Sequence, residues 1–204
     1  MLNNCVRKKF SHMWEAKSAR PVSVHTQLME YALMIEPDRD TVQKIAEVQE
    51  EIRALPGMVG RGICPHITLA TFQAKEMMEE VLVRWIQNIC LLEPSFEIRL
   101  NNFSGHPSHS IFVRIQDTAG FSGLVKRLGM IDTFVQANEC PPIHFGKPGL
   151  SIAEGLPEAL YSPVLTHFAS ECFSASFSVH EILLVRRWWE GEPYETVRRF
   201  RLAV

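Results

Sequence analysis

The chain lacks most of the features that announce a site from a distance. Its five cysteines (Cys5, Cys64, Cys90, Cys140 and Cys172) are odd in number and scattered, with no C-x-x-C pair. That excludes a disulfide framework and points to free thiols in a reducing, cytoplasmic compartment. No group of His and Cys has the spacing of a zinc site, so no metal is expected. The net charge is only −2, so no global basic field advertises nucleic-acid binding, although a local basic groove stays open. Apolar runs are far too short to span a bilayer, and no membrane partner is expected. What is present is a 204-residue chain with 46% hydrophobic residues. That is enough for one sizeable core, or for two small lobes sharing an interface.

Residues 1–26 stand apart. Arg7, Lys8, Lys9, Lys17 and Arg20 face a single acid, Glu15, with no apolar run suited to a secretory leader. They read as a basic, poorly packed extension or the product of an upstream translation start. Residues 27–204 read as one bilobal domain.

Within that domain the most informative stretch is Pro65-His66-Ile67-Thr68-Leu69-Ala70-Thr71-Phe72. Polar and apolar residues alternate and β-branched types dominate, the pattern of a half-buried strand. Side chains two apart share a face, so His66 and Thr68 point one way and Ile67 and Leu69 into the core. An imidazole beside a hydroxyl can hold a phosphate oxygen and move a proton. Alone, this would be a strand with one solvated histidine. The pattern returns, however, as Pro148-Gly149-Leu150-Ser151-Ile152-Ala153, with Pro under Pro, Ser under Thr and Ala under Ala. Only the second position differs in kind, His66 against Gly149. The recurrence suggests two similar lobes, each giving a strand to a shared groove.

The remaining elements fit that plan. Tyr31–Ile35 reads as a strand, and Asp38 or Asp40 can cap a helix from about Thr41 to Ala54, stopped by Pro56-Gly57. The motif strand spans about Gly62 to Phe72, and Lys75–Leu91 is amphipathic. Phe96–Leu100 and Ile111–Ile115 flank the turn-rich Ser104–Ser108 as a hairpin. Helices follow near Phe121–Asn138 and Glu158–Ser170, and two long strands, about Phe173–Arg187 and Tyr194–Leu202, close the chain. Such an order favours an α+β protein with two mostly antiparallel sheets around a central cleft and helices outside.

With two [His]-x-[Thr/Ser]-[Leu/Ile] strands in that setting, the chain resembles the two-histidine (2H) phosphoesterases, most of all the 2′-5′ RNA ligase or cyclic phosphodiesterase branch. The resemblance covers roughly residues 28–204. It rests on Pro65, His66, Thr68, Leu69 and Phe72 in the first motif, and on Lys147, Pro148, Leu150, Ser151 and Ile152 in the second. It implies a pseudo-symmetric bilobal fold and metal-free, cofactor-free chemistry. The partner it implies is a nucleotide or RNA-end phosphate, held by a protein expected to be monomeric. Transferred residue by residue, it gives His66 as acid or base and Thr68 and Ser151 as phosphate hydrogen-bond donors. Lys147 and Gly149 would stand on the substrate side; Phe72 could flank the groove there and stack on a base, with packing in the core an equal alternative.

The departure is Gly149, where the family carries its second histidine. In-line displacement at phosphorus needs proton removal on one side and donation on the other, and glycine does neither. Each such group is worth ~10²–10⁴-fold, so impaired catalysis is expected without a substitute. His144 and Lys147 are the nearby candidates. Gly149 can therefore mark a phosphate-binding pseudoenzyme, an introduced substitution, or a rewired site.

Other candidates read as structural. His106 and His109 fall in a turn with no carboxylate or thiol partner and read as solvated. His180 reads as a strand residue. Arg186, Arg187, Trp188 and Trp189 could clamp a phosphate and stack a base, but a hairpin end with packed Trp accounts for them more simply. Arg198, Arg199 and Arg201 suit the exposed face of an edge strand.

Overall fold

The computed structural model of the chain describes residues 28–55, 64–189 and 191–203. The basic extension of residues 1–26, the Pro56-Gly57 helix stop and the start of the expected motif strand lie outside the described residues. In chain order the elements are β1 (Leu28–Ile35), α1 (Arg39–Arg53), β2 (Ile67–Lys75), a 3₁₀ turn (Glu76–Met78), α2 (Glu79–Cys90), β3 (Phe96–His106) and β4 (Ser110–Ile115). Then come α3 (Ala119–Leu128), α4 (Met130–Ala137), β5 (His144–Phe145), β6 (Gly149–Ala153), α5 (Glu158–Ala169), β7 (Ser174–Val179), β8 (Glu181–Arg187) and β9 (Glu195–Arg201).

Local chemistry explains the first elements. The Asp38 carboxylate accepts the Thr41 N–H at 2.9 Å and caps α1, satisfying one of the donors a helix start leaves open. Ile45 and Ile52 then fall on its buried face, as Leu82, Ile86 and Ile89 do on α2. In β1 the alternate residues Tyr31, Leu33 and Ile35 are buried, and they meet Phe72, Ala70 and Ile67 of β2.

The strands form two antiparallel sheets, β5-β2-β1-β8-β9 and β6-β4-β3-β7. Helices pack outside them: α2 against β9, α5 against β3, α3 against both β2 and β3. One apolar cluster runs through both lobes, from Met29 and Tyr31 to Phe177 and Leu202. The α+β bilobal arrangement is as the sequence suggests.

Two expected elements are each divided, and one strand was not expected. The helix expected over Phe121–Asn138 is two, α3 and α4, parted at Gly129. The long strand expected over Phe173–Arg187 is also two, because the chain changes sheet at His180: β7 pairs with β3, whereas β8 pairs with β1 and β9. Polar–apolar alternation runs through Ser176-Phe177-Ser178-Val179-His180 without interruption, so periodicity gives no sign of the crossover. The two-residue β5 is an edge addition to β2, too short for any periodic signal.

Candidate functional site

The two motif copies share a feature finer than their sequence likeness. In β1–β2, Met34 lies opposite Thr68 but Leu33 opposite Ala70, leaving Leu69 as an extra residue. In β4–β6, Phe112 lies opposite Ser151 but Ile111 opposite Ala153, leaving Ile152 extra. Each copy thus carries a β-bulge directly after its hydroxyl residue. Bulges bend a strand and re-aim its side chains, and here both bends fall beside the Thr68 and Ser151 hydroxyls. Both bulge carbonyls are satisfied: the Gly146 N–H donates to Leu69 O at 2.9 Å, and Gln49 Nε2 on α1 donates to Ile152 O at 3.0 Å.

The Gly146 contact ties one motif to the other. A Cβ on Gly146 would lie 1.9 Å from the Thr68 carbonyl oxygen, so only glycine lets the β5–β6 connection press onto β2. The next two residues, Lys147 and Pro148, are thereby delivered beside Thr68. A pocket of about 180 Å³ results, lined by Thr68 from the first sheet and by Gly149, Ser151, Phe112, Lys147, His106 and Glu154 from the second half. Thr68 and Ser151, far apart in sequence, therefore face one cavity.

His66 is not among the residues lining this pocket. It is half-buried just before β2, two residues before Thr68, with the fully buried Ile67 between them. Its Nδ1 lies 2.8 Å from the Cys64 carbonyl. A carbonyl only accepts, so Nδ1 carries the hydrogen in that bond. In the neutral ring Nε2 is then left with its lone pair, the form a general base needs.

Phe72 is a correction. Its even spacing from His66 and Thr68 would keep it on their face in a regular strand. The bulge at Leu69 reverses the parity, so Thr71 and Gln73 take that face. Phe72 turns into the core, 3% exposed and stacked on Tyr31 with 5.4 Å between ring centroids. Its ring is not available for stacking on a base.

Gly149 lines the pocket, but the room above it is taken. A Cβ there would lie 2.6 Å from Cδ2 of Phe112. Of the two nearby substitutes, Lys147 lines the pocket, whereas exposed His144 sits on β5 opposite Thr71, beside Glu30 and Gln73.

His106 was missed. It and His109, expected as a solvated pair, part company at the β3–β4 hairpin tip. His109 packs on Tyr161 of α5 (5.0 Å between ring centroids), and its carbonyl accepts from Leu156 N–H at 2.9 Å. Gly105 fits against Tyr161 and Leu165, where a Cβ would collide. With the tip anchored on α5, His106 turns into the pocket together with Ser108 and Ser110. Its Nδ1 is 2.9 Å from Ser108 Oγ and its Nε2 is 2.9 Å from Lys147 Nζ. The available signal was the spacing by twos of His106, Ser108 and Ser110, which keeps their side chains together across a tight turn.

The basic and aromatic residues at the end of β8 are committed elsewhere. Arg186 donates to Glu79 at 2.7 Å, and Tyr31 Oη donates to the same carboxylate at 3.1 Å. Arg187 and Tyr194 each donate to Glu30 at 2.6 Å, and the Arg187 guanidinium lies 4.6 Å from the Tyr194 ring centre. Burial pushes the Glu30 carboxyl up, but the hydrogen bonds from Arg187 and Tyr194 outweigh it and hold the group below the ordinary carboxylate value. Burial, then the bond to Glu30, raises the Tyr194 hydroxyl. Trp188 packs on the core and Trp189 is exposed. Arg198, Arg199 and Arg201 are exposed on edge strand β9, as expected. Among the described residues no three His, Cys, Asp or Glu side chains gather where they could hold a metal ion, and no helix is long and apolar enough to cross a membrane.

A two-lobed α+β fold with paired hydroxyl strands meeting at one pocket defines the class of protein, a phosphoesterase-like one. The family model of the 2′-5′ RNA ligase superfamily matches residues 35–188, and the chain belongs to that superfamily. Among solved structures it is similar to apo LigT of E. coli, with TM-score 0.64 and 17% identity over 88% of this chain and 100% of that one. LigT in complex with 3′-AMP gives 0.63 and 16% over 87% and 99%. TT0787 of Thermus thermophilus gives 0.64 and 20% over 85% and 98%. No individually curated protein matches significantly.

Proposed function

We propose that the pocket binds the cyclic or terminal phosphate of a ribonucleotide or RNA end and acts on it as a metal-independent hydrolase of the 2′,3′-cyclic phosphodiester type. The observation that carries this is the convergence of Thr68 and Ser151, each beside a matching bulge, on one cavity that Lys147 also lines. Two hydroxyls donate to phosphate oxygens, and the lysine ammonium offsets their charge. His66, with Nδ1 occupied by Cys64 O, takes the proton of the attacking water. That LigT binds 3′-AMP and phosphate agrees with an anion of this kind. In this reading the protein works as a cytoplasmic monomer without a cofactor.

One observation favours a second reading. Phe112 covers Gly149, so the usual place for the second proton-transfer group is closed, as it would be in a protein that binds without turnover.

The test is hydrolysis and binding of a 2′,3′-cyclic nucleotide. Thr68→Ala and Ser151→Ala should each weaken binding by about tenfold or more, the loss of one hydrogen bond to a charged ligand. His66→Ala should lower kcat by about 10²-fold or more with binding retained. Binding untouched by either hydroxyl deletion would end the proposal.

A further inference from the structure

The cavity holds a basic couple that the motif copies do not account for. His106 comes from the β3–β4 hairpin tip and Lys147 from the loop before β6. Their Nε2 and Nζ atoms lie 2.9 Å apart, within hydrogen-bond distance. The environment is built rather than incidental. Gly146 fixes the Lys147 loop on β2, Gly105 and His109 fix the hairpin tip on α5, and Ser108 holds the far side of the ring through Oγ at 2.9 Å. Both members line the same cavity as Thr68 and Ser151, and Glu154 is the acidic residue of that lining.

We infer that the His106–Lys147 couple is the second proton-transfer group of this pocket, doing the work that Gly149 cannot. The inference rests on the phosphoesterase reading above. Water attacks phosphorus and gives its proton to His66 Nε2. The bond from phosphorus to one ribose oxygen breaks, and that oxygen takes its proton from the couple. One water and one cyclic diester give one monoester, and proton exchange with solvent returns both groups to their starting states. Phe112 over Gly149 then reflects a relocated donor rather than a lost one.

The test uses the full chain with a 2′,3′-cyclic nucleotide as substrate and inorganic phosphate as binding probe. His106→Gln and Lys147→Gln should each lower kcat by about a hundredfold or more. For His106→Gln, KM should stay within about threefold of the parent. The double variant should be little worse than the worse single one, as expected of residues acting together. Thermal melting of all three, with Lys147→Gln altering only an exposed side chain, separates loss of chemistry from loss of fold. Parent-like kcat in folded His106→Gln overturns the inference. So does a parent that binds phosphate through Thr68 and Ser151 yet turns nothing over, in which case the binding reading survives. A parent whose phosphate binding ignores both hydroxyls brings down the phosphoesterase reading itself, and this inference with it.

Discussion

The two motif copies are alike in backbone and unlike in what covers them. Opposite Thr68 stands Met34, and opposite Ser151 stands Phe112, in equivalent registers one step before equivalent bulges. Methionine is unbranched and adaptable, whereas a phenylalanine ring is rigid and needs a fixed space. On the first side the residue two before the hydroxyl is His66. On the second it is Gly149, and the ring of Phe112 stands where its side chain would begin. Gly149 and the Phe112 ring are therefore packed as a pair. The bulged strand geometry is common to both copies, although the side chain two residues before the hydroxyl is not.

The sharpest way to break the pairing of the two copies lies between them. Gly146→Ala would drive a methyl group against the Thr68 backbone carbonyl, where no flexible side chain can yield. We expect a loss of about 3 kcal/mol, at the upper end for overpacking, read as a lower midpoint in urea unfolding. Nucleotide binding should fall as well, because the β5–β6 loop can no longer seat Lys147 beside Thr68. A smaller effect is expected of Gly149→His. It should cost about 1–3 kcal/mol and leave kcat no higher than in the parent, since Phe112 blocks the imidazole. Adding Phe112→Ala should recover much of that stability, and the double-mutant cycle should show coupling above about 0.5 kcal/mol. Additive effects would mean that the ring and the glycine are unrelated.

The smallest expected effect concerns the first sheet alone. Glu30 has a folded-state value below its unfolded one because Arg187 and Tyr194 donate to it, against the opposing effect of burial. Such a carboxylate adds stability that is fully present above its unfolded value and is lost as pH falls through the folded one. Glu30→Gln should therefore lower stability by about 1 kcal/mol near pH 7 and by less below pH ~4. Thermal melting across that range checks it.

Much of this was legible in the chain. The repeat of Pro-x-x-Thr/Ser-x-Ala announced two related strands, and the α+β order followed from mixed periodicities. Asp38 capped its helix as its side chain allows. What stayed hidden depends on non-local pairing. The bulge at Leu69 cannot be read from one strand, because it exists only relative to β1, and it alone sends Phe72 into the core. The crossover at His180 separates two sheets without breaking alternation. His106 reaches the pocket because His109 and Gly105 grip α5, a helix far along the chain from them. Lys147, two residues before Gly149, was visible as a candidate; its partner His106 was not.

Whether both hydroxyl strands hold one anion decides the rest, and a crystal structure of the protein soaked with inorganic phosphate measures that directly. We expect a single phosphate with one oxygen within hydrogen-bond distance of Thr68 Oγ1, another within reach of Ser151 Oγ, and Lys147 beside it. A phosphate held by one strand only, or seated away from both hydroxyls, would contradict it.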